Sequence, residues 1–184
     1  MSDSDSKFSV PDLLNQPTRW DQLIAADLSA EVEALLAEKI DTIPEMRQFL
    51  AIKGYRELHQ RLEAAVDEIS GEAALRAVAF EMRAYAHDRP GLSAATFRNP
   101  IVDSPEWRRE GESLARFVLG VFATAGLTDS PAIHALRILQ ALVRGFVLHE
   151  RASSFLEPLD YDETYSLAVE VYIRGLSALQ AGTN

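Results

Sequence analysis

Residues 132–155 read AIHALRILQALVRGFVLHERASSF, and their apolar side chains recur around nearly the whole circumference of a helix. A helix with this pattern is buried on more than one side, so we expect it deep in the fold. Asp129 or Ser130, followed by Pro131, is expected to begin it, because these residue types favour helix N-termini.

The flanking sequence shows the same helical periodicity in both directions. Its few β-branched residues fall inside 3.6-residue patterns, which predicts an all-α chain without strands. Thr42 or Asp41 and Ser104 are expected helix caps, and Ser29 is expected to start a second short helix in the first 40 residues. The expected helices cover residues 19–27, 29–40, 45–69 (the longest), 72–89, 92–97, 105–125, 131–155 and 162–181.

Composition and charge narrow the class of protein. The 184 residues include no cysteine and carry a net charge of −10. The lack of cysteine excludes disulfides and thiolate metal sites and fits a reducing compartment. The first residues lack a signal-peptide pattern, and no apolar run approaches the length of a membrane span of about 20 residues. We therefore expect a cytoplasmic protein with no membrane contact.

Catalytic and cofactor motifs are missing from the sequence. The four histidines form no HExxH pair, and no GxSxG, P-loop or GxGxxG pattern occurs. The acidic clusters fall on predicted solvent faces or at helix N-termini, where carboxylates are stabilised by the helix dipole. We expect no enzyme activity, no metal site and no cofactor.

The last two helices carry the signals for an interface. Gly145 and Gly175 lie in the middle of apolar helices, where glycine costs about 1 kcal/mol relative to alanine unless another backbone must come close. We expect a homodimer face here, built from Gly145, Tyr172, Gly175 and Leu179. An internal core contact is the alternative that the sequence leaves open.

Four segments together resemble the C-terminal ligand-binding and dimerisation domain of TetR-like transcriptional regulators. They belong to a span from about residue 41 to 179 and stand in the family's order. The subgroup most similar has His/Arg-Gly-Phe-Val in its penultimate helix. The segments are residues 40–65 (IDTIPEMRQFLAIKGYRELHQRLEAA), 74–98 (ALRAVAFEMRAYAHDRPGLSAATFR), 134–155 (HALRILQALVRGFVLHERASSF) and 159–176 (LDYDETYSLAVEVYIRGL).

The resemblance implies an all-α bundle in which the last two helices of each subunit form a four-helix dimer interface. It also implies a small-molecule pocket among the helices expected over residues 45–69, 72–89, 105–125 and 131–155. The candidates to line it are the aromatic residues at helical spacing, Phe80 among them, and two polar residues of the penultimate helix. The predicted ligand-binding residues are Tyr85, Phe97, Trp107, Phe117, Phe122, Arg144 and His149. The expected effector is apolar and of modest size, with a carboxylate or hydroxyl for Arg144.

The head of the chain departs from the family pattern. These regulators carry a helix-turn-helix ending in a pattern like Gly-Val-Ser-x-x-x-Leu-Tyr-x-His/Tyr-Phe, whereas residues 27–41 here read DLSAEVEALLAEKID. The net charge through Glu45 is −7, and acids are repelled by the duplex that such a helix would read. We therefore divide the chain into a degenerate or replaced head, 1–40, and a ligand-binding and dimerisation domain, 41–184.

Three functions remain open from the sequence. The first is a TetR-like regulator that homodimerises, binds a small apolar effector and acts on DNA through a divergent head. The second is a sensor or interaction module without DNA binding, which pairs with a partner through its last two helices. The third is a small-molecule-binding protein or enzyme that reuses the pocket, and it requires a general acid or nucleophile there.

Overall fold

Helices form almost all of the chain that is described by a computed structural model, namely residues 19–97, 104–155, 157 and 159–181. The described residues contain no strand, so the all-α prediction is confirmed. Residues 1–18 of the predicted head lie outside the described part. The helices are α1 (Arg19–Ala37), α2 (Ile43–Ala65), α3 (Gly71–Asp88), α4 (Pro90–Thr96), α5 (Pro105–Thr124), α6 (Asp129–Ala152) and α7 (Tyr161–Ala181).

Short polar side chains cap three of these helices. The hydroxyls of Thr42 and Ser104 accept hydrogen bonds from backbone amides three residues later, at 3.4 and 3.3 Å. A carboxylate oxygen of Asp160 accepts the amides of Asp162 and Glu163 at 2.7 and 3.0 Å. Each cap satisfies amides that have no partner inside the helix, which fixes where the helix begins.

Two helix predictions were wrong. Ser29 does not begin a helix but lies inside the single, continuous helix α1. Its hydroxyl donates to the Ala25 carbonyl at 2.8 Å, a bond that serine makes in the middle of a helix. The helix expected over 45–69 ends at Ala65, and Glu68 adopts a left-handed backbone conformation with φ of 60°. Among the described helices, α6 is therefore the longest, with 24 residues.

Helix α3 lies at the centre of the bundle and packs against α2, α4, α5, α6 and α7. Side chains from five helices fill the core around it. The largest fully buried ones in this core are Leu62, Leu75, Val78, Tyr85, Leu92, Phe122, Leu139, Val143, Val147, Tyr165 and Val169. The most deeply placed helix is thus α3.

Helix α6 buries one face and leaves the other open. It packs against α1, α3, α5 and α7, while Ile133, Ile138 and Leu148 remain exposed. The expectation that this helix is buried on more than one side was therefore wrong for the single chain. Its length and apolar composition would also suit a membrane span, but a core helix of a globular protein has the same composition.

Candidate functional site

An apolar cavity of about 460 Å³ lies among α2, α3, α4, α5 and α6. This volume falls within the usual range for small-molecule pockets, about 300–1,000 Å³. Its walls are mainly aliphatic, and its charged lining side chains are all exposed. The apolar wall residues are Leu58, Leu62, Met82, Ala86, Ala94, Leu114, Ala115, Val118, Leu136, Val143, Val147 and Leu148.

Two tyrosines contribute rings to the cavity while their hydroxyls are bound to backbone. Tyr85 is fully buried and donates to the Gly54 carbonyl at 3.2 Å, and Tyr55 donates to the Thr96 carbonyl at 2.7 Å. Burial raises the pKa of both hydroxyls, so both stay neutral at physiological pH. The tyrosines therefore present apolar surface to a ligand and join α2 to α3 and α4.

Four polar lining residues are exposed and mark the edge of the cavity. Arg108 and Glu112 of α5 and Gln140 and Arg144 of α6 line it with exposed side chains. The Arg144 guanidinium lies 4.5 Å from the centroid of the Phe97 ring, a cation–π contact. No carboxylate of the described residues forms a salt bridge with Arg144. A ligand in the cavity would thus meet an apolar interior and a cationic edge.

Three of the seven predicted ligand-binding residues line this cavity, namely Tyr85, Phe97 and Arg144. The other four lie elsewhere. Trp107 is buried with Ala51 and Ile52, and Phe122 is buried in the main core.

Phe117 and His149 also lie outside the cavity. The Phe117 ring lies 4.9 Å from His59. The His149 ring stacks on Phe155 and its Nδ1 is 2.7 Å from the Ser154 hydroxyl. Phe80, named with the aromatic candidates, contacts Tyr165 edge-on at a half-exposed position.

Sequence reasoning missed several residues that line the cavity. Tyr55 faces it from α2, and the edge includes Arg108, Glu112 and Gln140. Helical periodicity contained part of the signal, because Tyr55, Leu58 and Leu62 follow one stripe of α2. Which stripe faces the cavity depends on how α2 packs against α5, and this is not visible in α2 alone.

The predicted dimer residues fall into two groups. A Cβ added to Gly145 or Gly175 would meet no atom within 4 Å, so both lie against open space in the single chain. Tyr172 instead donates to the Ala135 carbonyl at 2.8 Å and is buried, and Leu179 packs against the core. On α7, Gly175 follows Leu167 and Val171 by two helical turns and one, and these two side chains are 60% and 72% exposed.

No group of three or more His, Asp or Glu side chains within the described ranges is placed to hold a metal ion. The cavity edge holds one carboxylate, that of Glu112, beside two arginines. The lining thus combines apolar surface with charged side chains of both signs.

The described residues thus form an all-α bundle around an apolar cavity. Residues 75–172, more than half of the chain, match the family described as tetracyclin repressor-like, C-terminal domain. The chain therefore belongs to this family, that of the TetR-like transcriptional regulators.

Curated relatives agree with this assignment. The uncharacterised HTH-type transcriptional regulator Rv0681 of Mycobacterium tuberculosis is 24% identical over 151 residues, which cover 80% of this chain and 69% of that protein. The uncharacterised HTH-type transcriptional regulator YobS of Bacillus subtilis is 24% identical over 142 residues, covering 77% and 73%.

A solved structure shares the fold. It is that of a protein with unknown function from Rhodococcus sp. RHA1, which aligns with a TM-score of 0.67 at 17% identity. The alignment covers 88% of this chain and 96% of that one.

Proposed function

We propose that this TetR-like protein is a cytoplasmic, homodimeric sensor whose cavity binds an amphipathic small molecule with an anionic group. The observation that carries the proposal is the apolar cavity with the Arg144 guanidinium at its edge. Since the tyrosine hydroxyls in the cavity are already bound to backbone, Arg144 is the group best placed to select a charged ligand.

A matched pair of ligands tests the charge preference. 1-Naphthaleneacetic acid and 1-naphthaleneethanol share an apolar body, and only the acid carries a carboxylate. Binding to the folded state stabilises it by about 2.7 kcal/mol when the ligand is at 100 times its Kd. In a thermal shift assay the acid should raise the Tm of the wild-type protein more than the alcohol does.

Two arginines of the same helix give the control. In Arg144→Ala the shift caused by the acid should fall to that of the alcohol. In Arg137→Ala it should stay unchanged, because Arg137 is exposed on α6 and does not line the cavity. Equal shifts for both ligands in wild type, or an unchanged acid preference in Arg144→Ala, would contradict the proposed ligand class.

The second candidate is a sensor or interaction module that does not bind DNA by itself and pairs with a partner through α6 and α7. The specific observation in its favour is that residues 19–37 form one helix, whose Asp27 and Glu31 form ion pairs within the chain. Groove recognition needs cations for phosphates and polar groups for base edges.

A gel-shift assay against DNA from the neighbourhood of the gene separates this second candidate from a regulator that binds DNA directly. The interaction module predicts weak binding or none at physiological salt. A specific, salt-sensitive complex of nanomolar affinity would instead establish direct DNA binding, since the phosphate contribution falls steeply with salt.

A further inference from the structure

Helix α1 caps helix α4. The Asp27 carboxylate accepts the backbone amides of Gly91 and Leu92, at 2.9 and 3.2 Å, in the first turn of α4. Helix α4 has only seven residues, and helices this short are unstable in isolation. Its order therefore depends on the cap and on the helices that surround it.

Ion pairs reinforce the same contact. Arg89, just before α4, donates to Asp27 and Glu31 of α1 and to Glu57 of α2, at distances between 2.7 and 3.1 Å. Lys53 donates to the other oxygen of Glu31 at 2.6 Å. Asp27 and Glu31 are largely shielded from water, with side chains 14% and 17% exposed. Asp27 and Glu31 are thus paired with cations of the same chain.

Glycine lets α1 approach α4 closely. A Cβ on Gly91 would lie 2.5 Å from Cγ and 2.8 Å from Cδ2 of Leu28. Real Cβ atoms do not come this close to another heavy atom, so a side chain at position 91 would displace the Leu28 side chain or α1 itself. The contact is therefore steric as well as electrostatic.

Helix α4 is also a wall of the cavity. Ser93, Ala94, Thr96 and Phe97 line it, and Phe97 lies beneath the Arg144 guanidinium. One side of α4 thus faces the candidate ligand, and the other side is held by α1. Any change in the position of α4 must alter both contacts.

We propose that α1 is an intramolecular strap that holds the α4 wall in place, so that filling of the cavity and docking of α1 are thermodynamically linked. This inference rests on the proposed function of the cavity. A ligand that prefers the ordered wall favours docked α1, and docked α1 raises ligand affinity by the same factor. Helix α1 of the acidic head thereby changes the ligand affinity of the cavity in the same chain.

An uncharged probe tests the linkage independently of Arg144. N-phenyl-1-naphthylamine is apolar, and its Kd for the full chain is measured by equilibrium dialysis. Hydrogen exchange followed by mass spectrometry reports opening of the peptides over residues 19–37. Saturating probe should slow exchange there several-fold, while residues 161–181, which do not line the cavity, should exchange at an unchanged rate.

Variants test the reverse direction of the linkage. Asp27→Ala removes the cap of α4 and should weaken probe binding about 5-fold or more, a typical lower bound for coupled sites. Glu33→Ala, on the exposed side of α1, is the matched control and should keep the wild-type Kd. Exchange rates over residues 161–181 verify that each variant is folded.

A second variant disturbs the contact between α1 and α4 by bulk alone and changes no charge. Gly91→Ala should release α1 and weaken probe binding, and Gly91→Ala combined with Leu28→Ala should recover part of the affinity.

Probe binding without protection of residues 19–37, or variants with wild-type Kd, overturns the linkage and leaves the cavity's function intact. Failure of the probe to bind the wild-type protein overturns the proposed function and the linkage together.

Discussion

Arg83 joins three helices at a nearly buried position. Its guanidinium donates to both oxygens of Glu150 on α6, at 2.7 and 3.1 Å, and lies 2.7 Å from an Asp162 oxygen on α7. The same guanidinium lies 4.8 Å from the Tyr165 ring centroid, and His87 donates to Glu150 at 2.9 Å. Truncating one member leaves a buried charge without its partner, which is strongly destabilising.

Glu150→Gln gives the first prediction at this scale. Burial alone would raise the pKa of Glu150, but hydrogen bonds from Arg83 and His87 outweigh it and hold the pKa below its ordinary value of 4.5. A lowered folded-state pKa contributes stability above the unfolded pKa, and this contribution is lost as pH falls through the folded value. The variant should lose about 1–3 kcal/mol at neutral pH.

Urea unfolding measures this prediction. The difference in free energy of unfolding between wild type and Glu150→Gln should narrow as the pH falls below about 4.5. Glu33→Gln, at an exposed position of α1, should track the wild type at every pH. A difference that widens in acid would contradict the assigned charge state of Glu150.

At the level of single residues, the sequence predicts that aromatic side chains are buried better than it predicts where each one lies. Phe97 and Phe122 both recur at helical spacing, but one lines the cavity and the other lies in the core. An aromatic ring buries apolar surface equally well in either place, so periodicity does not distinguish them. Arg144 and His149 were both selected as polar residues of an apolar helix, but only Arg144 lines the cavity.

Among the helices, local capping chemistry was the most predictable feature. Thr42 and Ser104 cap the helices that the sequence assigned to them. Ser29 could not be placed in the same way, because a serine hydroxyl can also bond to a carbonyl four residues earlier. The packing of α4 between α1 and α2 depends on contacts distant in sequence, which no local pattern reports.

Gly54→Ala tests the packing of α2 on α4. A Cβ at position 54 would lie 2.8 Å from the Leu92 carbonyl oxygen and 2.9 Å from Thr96 Cγ2, so the two helices must separate. We expect a loss of about 1–3 kcal/mol in the free energy of unfolding, typical of overpacking.

Gly120→Ala is the matched control. It also replaces a helical glycine, but its Cβ meets nothing within 4 Å, so it should gain about 0.5–1 kcal/mol from helix propensity. Chemical denaturation compares the two variants directly. Equal effects at positions 54 and 120 would show that α2 and α4 do not pack closely.

At the scale of the whole molecule, an apolar face of α7 has no partner within the described chain. Leu167 and Val171 are exposed there, beside Gly175. Exposed apolar surface of this kind marks interaction sites, and dimers related by a two-fold axis bury the same patch from both subunits. The proposed homodimer covers this face.

Gly175→Leu tests the proposed dimer. No atom lies within 4 Å of the position of its Cβ, so leucine fits the single chain and should leave its fold intact. A second subunit packed against the glycine would clash with it, so sedimentation should show monomer or aggregate instead of dimer. Gly120→Leu, on open space of α5, should remain dimeric, and a wild-type protein that sediments as a monomer at micromolar concentration would refute the dimer.

The burial of Trp107 gives the molecule an optical signal of its own. The indole lies in a small cluster with Ala51 and Ile52, and Tyr55 packs against this cluster while its ring also lines the cavity. Indole emission shifts to longer wavelength as its surroundings become more polar. Trp107, one of two tryptophans in the chain, is thus separated from the cavity by one aromatic ring, that of Tyr55. Its fluorescence emission maximum should therefore shift when a ligand enters the cavity, without any added dye.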